Sequence, residues 1–250
     1  MHSNPQDHRA ESRDAPPPID DDCALFLDVD GSLLDFADDP ASVRAGPRLQ
    51  AALDGLASRL QGALALVSGR TLSALDAIFA PARYPARGVH GLERRDAPRP
   101  SGDHVALQAI ARAARHALAP YPGALVETKG PAALALHWRA APAAEAAARA
   151  FAEDALARLP GYRLEPGNQV LELRPDGADK GSAIRDYMRE APFAGRVPVF
   201  AGDDLGDEAG FVAVNAMGGL SVLVGSRRHS AARYALPDPA AVLHWLERRP

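Results

Sequence analysis

The sequence predicts an α/β fold, a parallel-sheet core interrupted by an inserted α+β unit, and three observations carry that reading. Four short apolar runs, Ala24–Leu27, Ala63–Val67, Val197–Ala201 and Leu220–Val224, read as strands buried on both faces. They alternate with stretches of helical periodicity, which implies parallel strands joined by right-handed crossovers. Between the two halves of that alternation, the rhythm changes to helices combined with paired strands. The expected organisation is a disordered tail over 1–22, a core over 23–96 and 175–250, and an insert over 97–174.

Taken in order, strand one spans 24–29 and ends in Asp28 and Asp30, followed at once by Gly31. Residues 33–47, with Asp35, Asp38, Asp39 and Pro40, read as a loop. Leu49, Leu53, Leu56 and Leu60 recur at three- and four-residue spacing, so an amphipathic helix runs through about 47–60. Strand two is followed by Ser68-Gly69-Arg70 and a helix over about 71–80. Residues 96–102, rich in Pro and Gly, read as a linker. The insert then offers a helix at 103–119, a hairpin from 124–128 to 133–139, and an Ala-rich helix at 142–159. A second hairpin joins 162–165 to 169–173 through Pro166-Gly167-Asn168. The core resumes with helices near 179–189, 207–214 and 239–248 around its last two strands.

Composition narrows the function. The chain has 250 residues, 47% hydrophobic and 24% charged, ordinary values for a protein that folds. A net charge of -4 and a pI near 6.1 leave no basic footprint for nucleic acid. Cys23 is the single cysteine, which excludes an internal disulfide and a Cys-based zinc site and fits a reducing compartment. The first 22 residues lack the apolar core of a signal peptide, and no apolar run approaches membrane-spanning length. A cytoplasmic monomer acting on a small molecule is expected.

The chemistry-bearing residues gather at strand ends and helix starts. Asp28 and Asp30 end strand one, Ser68 follows strand two, Lys180 opens a helix, and Asp203-Asp204 end a later strand. In open α/β sheets ligands bind outside the carboxyl ends of strands. A helix start suits a phosphate, and clustered carboxylates without cysteine suit a hard cation such as Mg2+. Each residue alone has a duller explanation: an acidic turn, a solvated lysine, a helix cap. Their joint occurrence is what specifies phosphoryl chemistry.

Asp28-Val29-Asp30-Gly31-Ser32, Ser68, Lys180 and Gly202-Asp203-Asp204 resemble, in order, the four motifs of the haloacid dehalogenase (HAD) superfamily, whose core is Rossmann-like. Val67–Arg70, Gly88–Glu93, Val126–Gly130, Leu134–Arg139, Leu171–Pro175, Asp179–Gly181 and Gly202–Glu208 narrow the resemblance to the trehalose-6-phosphate phosphatases. The resemblance implies that Asp28 is a nucleophile and Asp30 a general acid and base. It implies that Ser68 and Lys180 bind the phosphoryl group, with Arg70 close to the phosphate. Mg2+ would be held by Asp28, Asp30 through its carbonyl, and Asp203, with Asp204 in support. Asp207 is a further supporting acid. The insert would be a cap that closes over the substrate.

Strand parity adds a separate argument for the cap. Alternate side chains share a face, so Glu127 goes with Lys129, His137 with Arg139, and Val170 with Glu172. Glu127, Lys129, Arg139 and Glu172 would form a polar face suited to sugar hydroxyls. His90 and His137 are given no catalytic role. Ser32 and Gly206 stand where the family usually has Thr. The rivals are another sugar phosphate (a sucrose or mannosylglycerate phosphate), a silent sugar-phosphate sensor, and a phospho-acceptor module. A large insert and a second Asp two residues after the acceptor argue against the last.

Overall fold

The structure is a computed structural model that describes residues 13–37, 42–95, 104–129, 133–227 and 229–249. The 1–12 part of the expected tail, Asp38-Asp39-Pro40 and the expected 96–102 linker lie outside those residues.

Two sheets organise the chain. The larger runs β11-β10-β9-β1-β2-β3-β4. Its central strands are β1 (Cys23–Leu27), β2 (Leu64–Val67) and β9 (Val197–Gly202), flanked by β3 (Ala86–Gly88), β10 (Leu220–Val224) and β11 (Tyr234–Leu236). All these pair in parallel, and only the two-residue β4 (Glu93–Arg94) turns antiparallel against β3. Every residue of β1 is buried, as its apolar run demands. The chain winds outward from β1 through α1 (Pro47–Arg59), β2, α2 (Leu72–Phe79) and β3, then returns to fill β9, β10 and β11 on the other side. The carboxyl end of β1 is therefore the switch point of the sheet, where a crevice opens. Helices α5 (Lys180–Tyr187), α6 (Glu208–Ala216) and α7 (Pro239–Glu247) complete the core.

The smaller sheet is antiparallel, β5-β6-β8-β7, made of β5 (Leu125–Lys129), β6 (Ala133–His137), β7 (Tyr162–Gly167) and β8 (Val170–Pro175). One face, with Leu134, Leu136, Leu171 and Leu173, packs on α3 (His104–Leu118) and α4 (Glu145–Leu156) in a hydrophobic cluster of its own. Small side chains on α4 (Ala148, Ala152, Ala155) let that helix lie close.

Several expectations are corrected. Residues 13–22 are not disordered: Ile19 is fully buried, Trp245 Nε1 donates to Pro17 O at 2.7 Å, and Arg13 Nε donates to Ala232 O at 2.8 Å. Pro166-Gly167 do not form the second hairpin turn. Gly167 still pairs with Val170, so the turn is Asn168-Gln169, with Gln169 at φ 58°. Strands β3, β4 and β11 were not anticipated, being two or three residues long. Ser68 does not cap α2. Thr71 does, accepting from Ala74 N at 3.2 Å.

Candidate active site

The loop after β1 is shaped by Gly31, at φ +79°. A Cβ there would lie 2.2 Å from Asp203 Oδ2, so only glycine lets the β1 and β9 loops approach. That approach brings Asp28, Asp203 and Asp207 together, with one carboxylate oxygen of each within 4.8 Å of the others. Ser32 Oγ donates to Asp203 Oδ1 at 3.4 Å.

Lys180, first residue of α5, enters this cluster from the far half of the chain. Asp179 caps that helix by accepting from Ser182 N at 2.6 Å, and Ser182 answers in a capping box. Gly181 next to it lies against Ala209 O, where a Cβ would clash at 2.3 Å, so α5 and α6 pack closely. Lys180 Nζ reaches Asp28 Oδ1 at 2.8 Å and Asp207 Oδ1 at 2.6 Å. Asp207 Oδ2 also accepts from the backbone N–H groups of Asp203 and Asp204, both at 2.9 Å.

Electrostatics follow from this crowding. Burial pushes the Asp28 carboxyl up to about 7, against the pull of Lys180, and Asp203 and Asp204 add to the rise. Asp203 is likewise pushed up to about 7, by burial and then by Asp207 and Asp204. Burial lowers Lys180, but Asp207 and Asp28 outweigh it and keep the ammonium charged. Burial also drives Asp207 upward, yet its three donors are those of an ionised carboxylate, and they decide its state. Carboxylates here outnumber the one lysine.

Across the cleft stands the polar face of the smaller sheet. The register sets Glu127 opposite Ala135 and Ala135 opposite Glu172, with Lys129 opposite Ala133. The alanine methyls of β6 leave room above them, and Lys129 crosses to hydrogen-bond Glu172. Glu127 pairs with His137 at 2.9 Å. Burial alone would raise Glu172, but His90 and Lys129 hold it well below the usual carboxylate range.

Asp28, Asp30, Ser68, Arg70, Glu127, Lys129, Arg139, Glu172, Lys180 and Asp204 all line one cleft of about 280 Å3. That is near the lower end for small-ligand sites. Asp30 faces Arg70, whose Nε and Nη2 each donate to it at 2.6 Å. Ser68 Oγ accepts from Arg70 N at 3.2 Å. Arg139 Nη2 donates to Asn168 O at 3.4 Å. The close carboxylate group is Asp28, Asp203 and Asp207, and Asp204 lies outside it. His90, given no role from the sequence, also lines the cleft.

The sequence profile described as "Trehalose-phosphatase" matches residues 26–240. A trehalose-6-phosphate phosphatase of Escherichia coli (strain K12) is 42% identical over 228 residues, 90% of this chain and 85% of that protein. The chain belongs to the trehalose-phosphatase family. A second relative, a probable trehalose-phosphate phosphatase of Sinorhizobium fredii, is 44% identical over 82% of this chain and 78% of its own length. Among solved structures, the C-terminal domain of the C. albicans trehalose-6-phosphate phosphatase superposes with a TM-score of 0.77 at 22% identity, over 90% of this chain and 91% of that one. A haloacid dehalogenase-like hydrolase from Bacteroides thetaiotaomicron matches at 0.62 and 18% identity, covering 89% and 97%. The chain thus shares the HAD fold of these structures, with its parallel central sheet.

The close carboxylate group tests well for Mg2+. Its donors are all hard oxygens, no cysteine is near, and the negative charge exceeds what Lys180 balances. Asp28, Asp203 and Asp207 are the side chains able to hold such an ion.

Proposed function

We propose that the chain is a Mg2+-dependent phosphoric monoester hydrolase that converts trehalose 6-phosphate to trehalose and phosphate through an aspartyl-phosphate on Asp28, in the cytoplasm and as a monomer. The observation that carries this reading is the two-ended cleft. One end holds Asp28 against Lys180, and the other presents Glu127, Lys129, Arg139 and Glu172.

At the first end, an Asp28 oxygen attacks phosphorus and the bond to the sugar oxygen breaks. The departing oxygen takes its proton from Asp30, which later removes a proton from water. That water attacks phosphorus, phosphate leaves, and the Asp28 carboxylate returns. Lys180 offsets negative charge as it builds on the phosphoryl oxygens, and Ser68 and Arg70 orient them. Mg2+, when bound, supplies further neutralisation of those oxygens. At the second end, carboxylates and bases accept from and donate to sugar hydroxyls. Among the described residues no helix is long and apolar enough to cross a membrane.

Phosphate release from a panel of sugar phosphates, with and without Mg2+, tests the reading. Strong preference for trehalose 6-phosphate and loss of activity with chelator are expected. Equal turnover of glucose 6-phosphate would remove the substrate assignment. Glu172→Ala should impair trehalose 6-phosphate hydrolysis far more than that of p-nitrophenyl phosphate.

A further inference from the structure

Val89 and His90 follow β3 with φ of 48° and 54°, both in the left-handed region. A β-branched residue there is a true outlier, and such strain concentrates where function needs a fixed geometry. Two backbone hydrogen bonds impose it: Val89 N donates to Arg70 O at 2.8 Å, and His90 N donates to Ser68 O at 2.9 Å. The turn is thereby tied to the loop that carries Ser68 and Arg70. Its imidazole lies on Gly69, where a Cβ would stand 2.7 Å from ring atoms Cε1 and Nε2.

From that seat the ring reaches the other unit. His90 Nε2 is 3.2 Å from Glu172 Oε2 on β8. Both ring nitrogens are buried, so Glu172 is the acidic group that Nε2 meets. Burial lowers the imidazole's pKa while Glu172 pulls it up, and His90 in turn helps hold Glu172 ionised.

We infer that His90 is a positioning residue that fixes Glu172 at the sugar end of the cleft and so sets the distance between phosphate recognition and sugar recognition. The inference rests on the reading of Glu172 as a sugar ligand. His90 belongs to the core, Glu172 to the cap, and their contact joins the two ends. A substrate that uses only the phosphate end does not need it.

The test is His90→Asn, since Asn tolerates the left-handed conformation but is too short to reach Glu172. The expected result is a KM for trehalose 6-phosphate raised about tenfold or more, with a several-fold smaller loss in kcat and in p-nitrophenyl phosphate hydrolysis. In a Glu172→Gln background, His90→Asn should add little further loss. His90→Gln, with a longer amide, should recover part of the KM and serves as the second variant if Asn disturbs folding. Equal losses on both substrates, an unchanged KM, or additivity with Glu172→Gln would overturn the inference. A wild-type enzyme without preference for trehalose 6-phosphate over glucose 6-phosphate would instead defeat the substrate reading.

Discussion

Lys180 Nζ lies 2.8 Å from Asp28 Oδ1, with both side chains almost wholly shielded from water. The same ammonium binds Asp207 at 2.6 Å, so one cation stands between two buried acids from different loops. Removing it leaves Asp28 without its counter-charge and Asp207 with backbone donors alone, whereas removing the charge of Asp28 relieves a burden that burial imposes.

Two substitutions should therefore diverge. Lys180→Met is expected to destabilise by about 3–5 kcal/mol and abolish turnover. Asp28→Asn should also abolish turnover, yet leave metal-free stability at pH 8 equal to or above the wild type. Urea unfolding beside phosphate release checks both.

Arg70 spans Asp30 with two 2.6 Å hydrogen bonds, a planar fork that lysine cannot reproduce. Arg70→Lys should lower kcat/KM by roughly 10- to 100-fold, alike for trehalose 6-phosphate and p-nitrophenyl phosphate. The contrast with Glu172→Ala, selective for the sugar substrate, is the diagnostic feature.

The raised acids make stability depend on pH and metal together. Asp28 and Asp203 bind protons up to about 7 in the folded chain but only to about 3.8 unfolded. Their stabilising protonation is complete below about 3.8 and lost as pH rises through about 7. Metal-free protein should melt at a higher temperature at pH 5.5 than at pH 8. Mg2+ should raise the melting temperature more at pH 8, where it competes with fewer protons. Thermal scans with chelator and with Mg2+ read both effects.

Gly31→Ala places a methyl 2.2 Å from Asp203 Oδ2 at a φ of +79°. The β1 and β9 loops must then part, and Mg2+ affinity should fall roughly 10- to 100-fold. Calorimetric titration with Mg2+ gives the value, and Gly55→Ala, where nothing lies within 4 Å, serves as the control.

Much of this was legible in the residues. The buried run of β1 ending in two acids marks the switch point, and strand parity alone puts Glu127, Lys129 and Glu172 on one face. Asp207 was harder: within Gly202–Glu208 four acids crowd together, and a 3-10 turn at Leu205–Asp207 decides which one points inward. His90 lies within the Gly88–Glu93 stretch, but its reach to Glu172 depends on a left-handed turn that a β-branched residue such as Val89 does not signal. Residues 13–22 dock through backbone carbonyls such as Pro17 O and through Ile19, while their polar, proline-rich character suggests disorder.

The account turns on transient phosphorylation of Asp28. In Asp30→Asn, p-nitrophenyl phosphate needs little help from an acid, while water attack loses its base, so the phosphorylated enzyme should accumulate. Rapid mixing should give a burst of about one p-nitrophenolate per enzyme, and acid-quenched peptides should carry the phosphoryl group on Asp28. Absence of both burst and phosphopeptide while turnover continues, or a phosphoryl group on another residue, would contradict it.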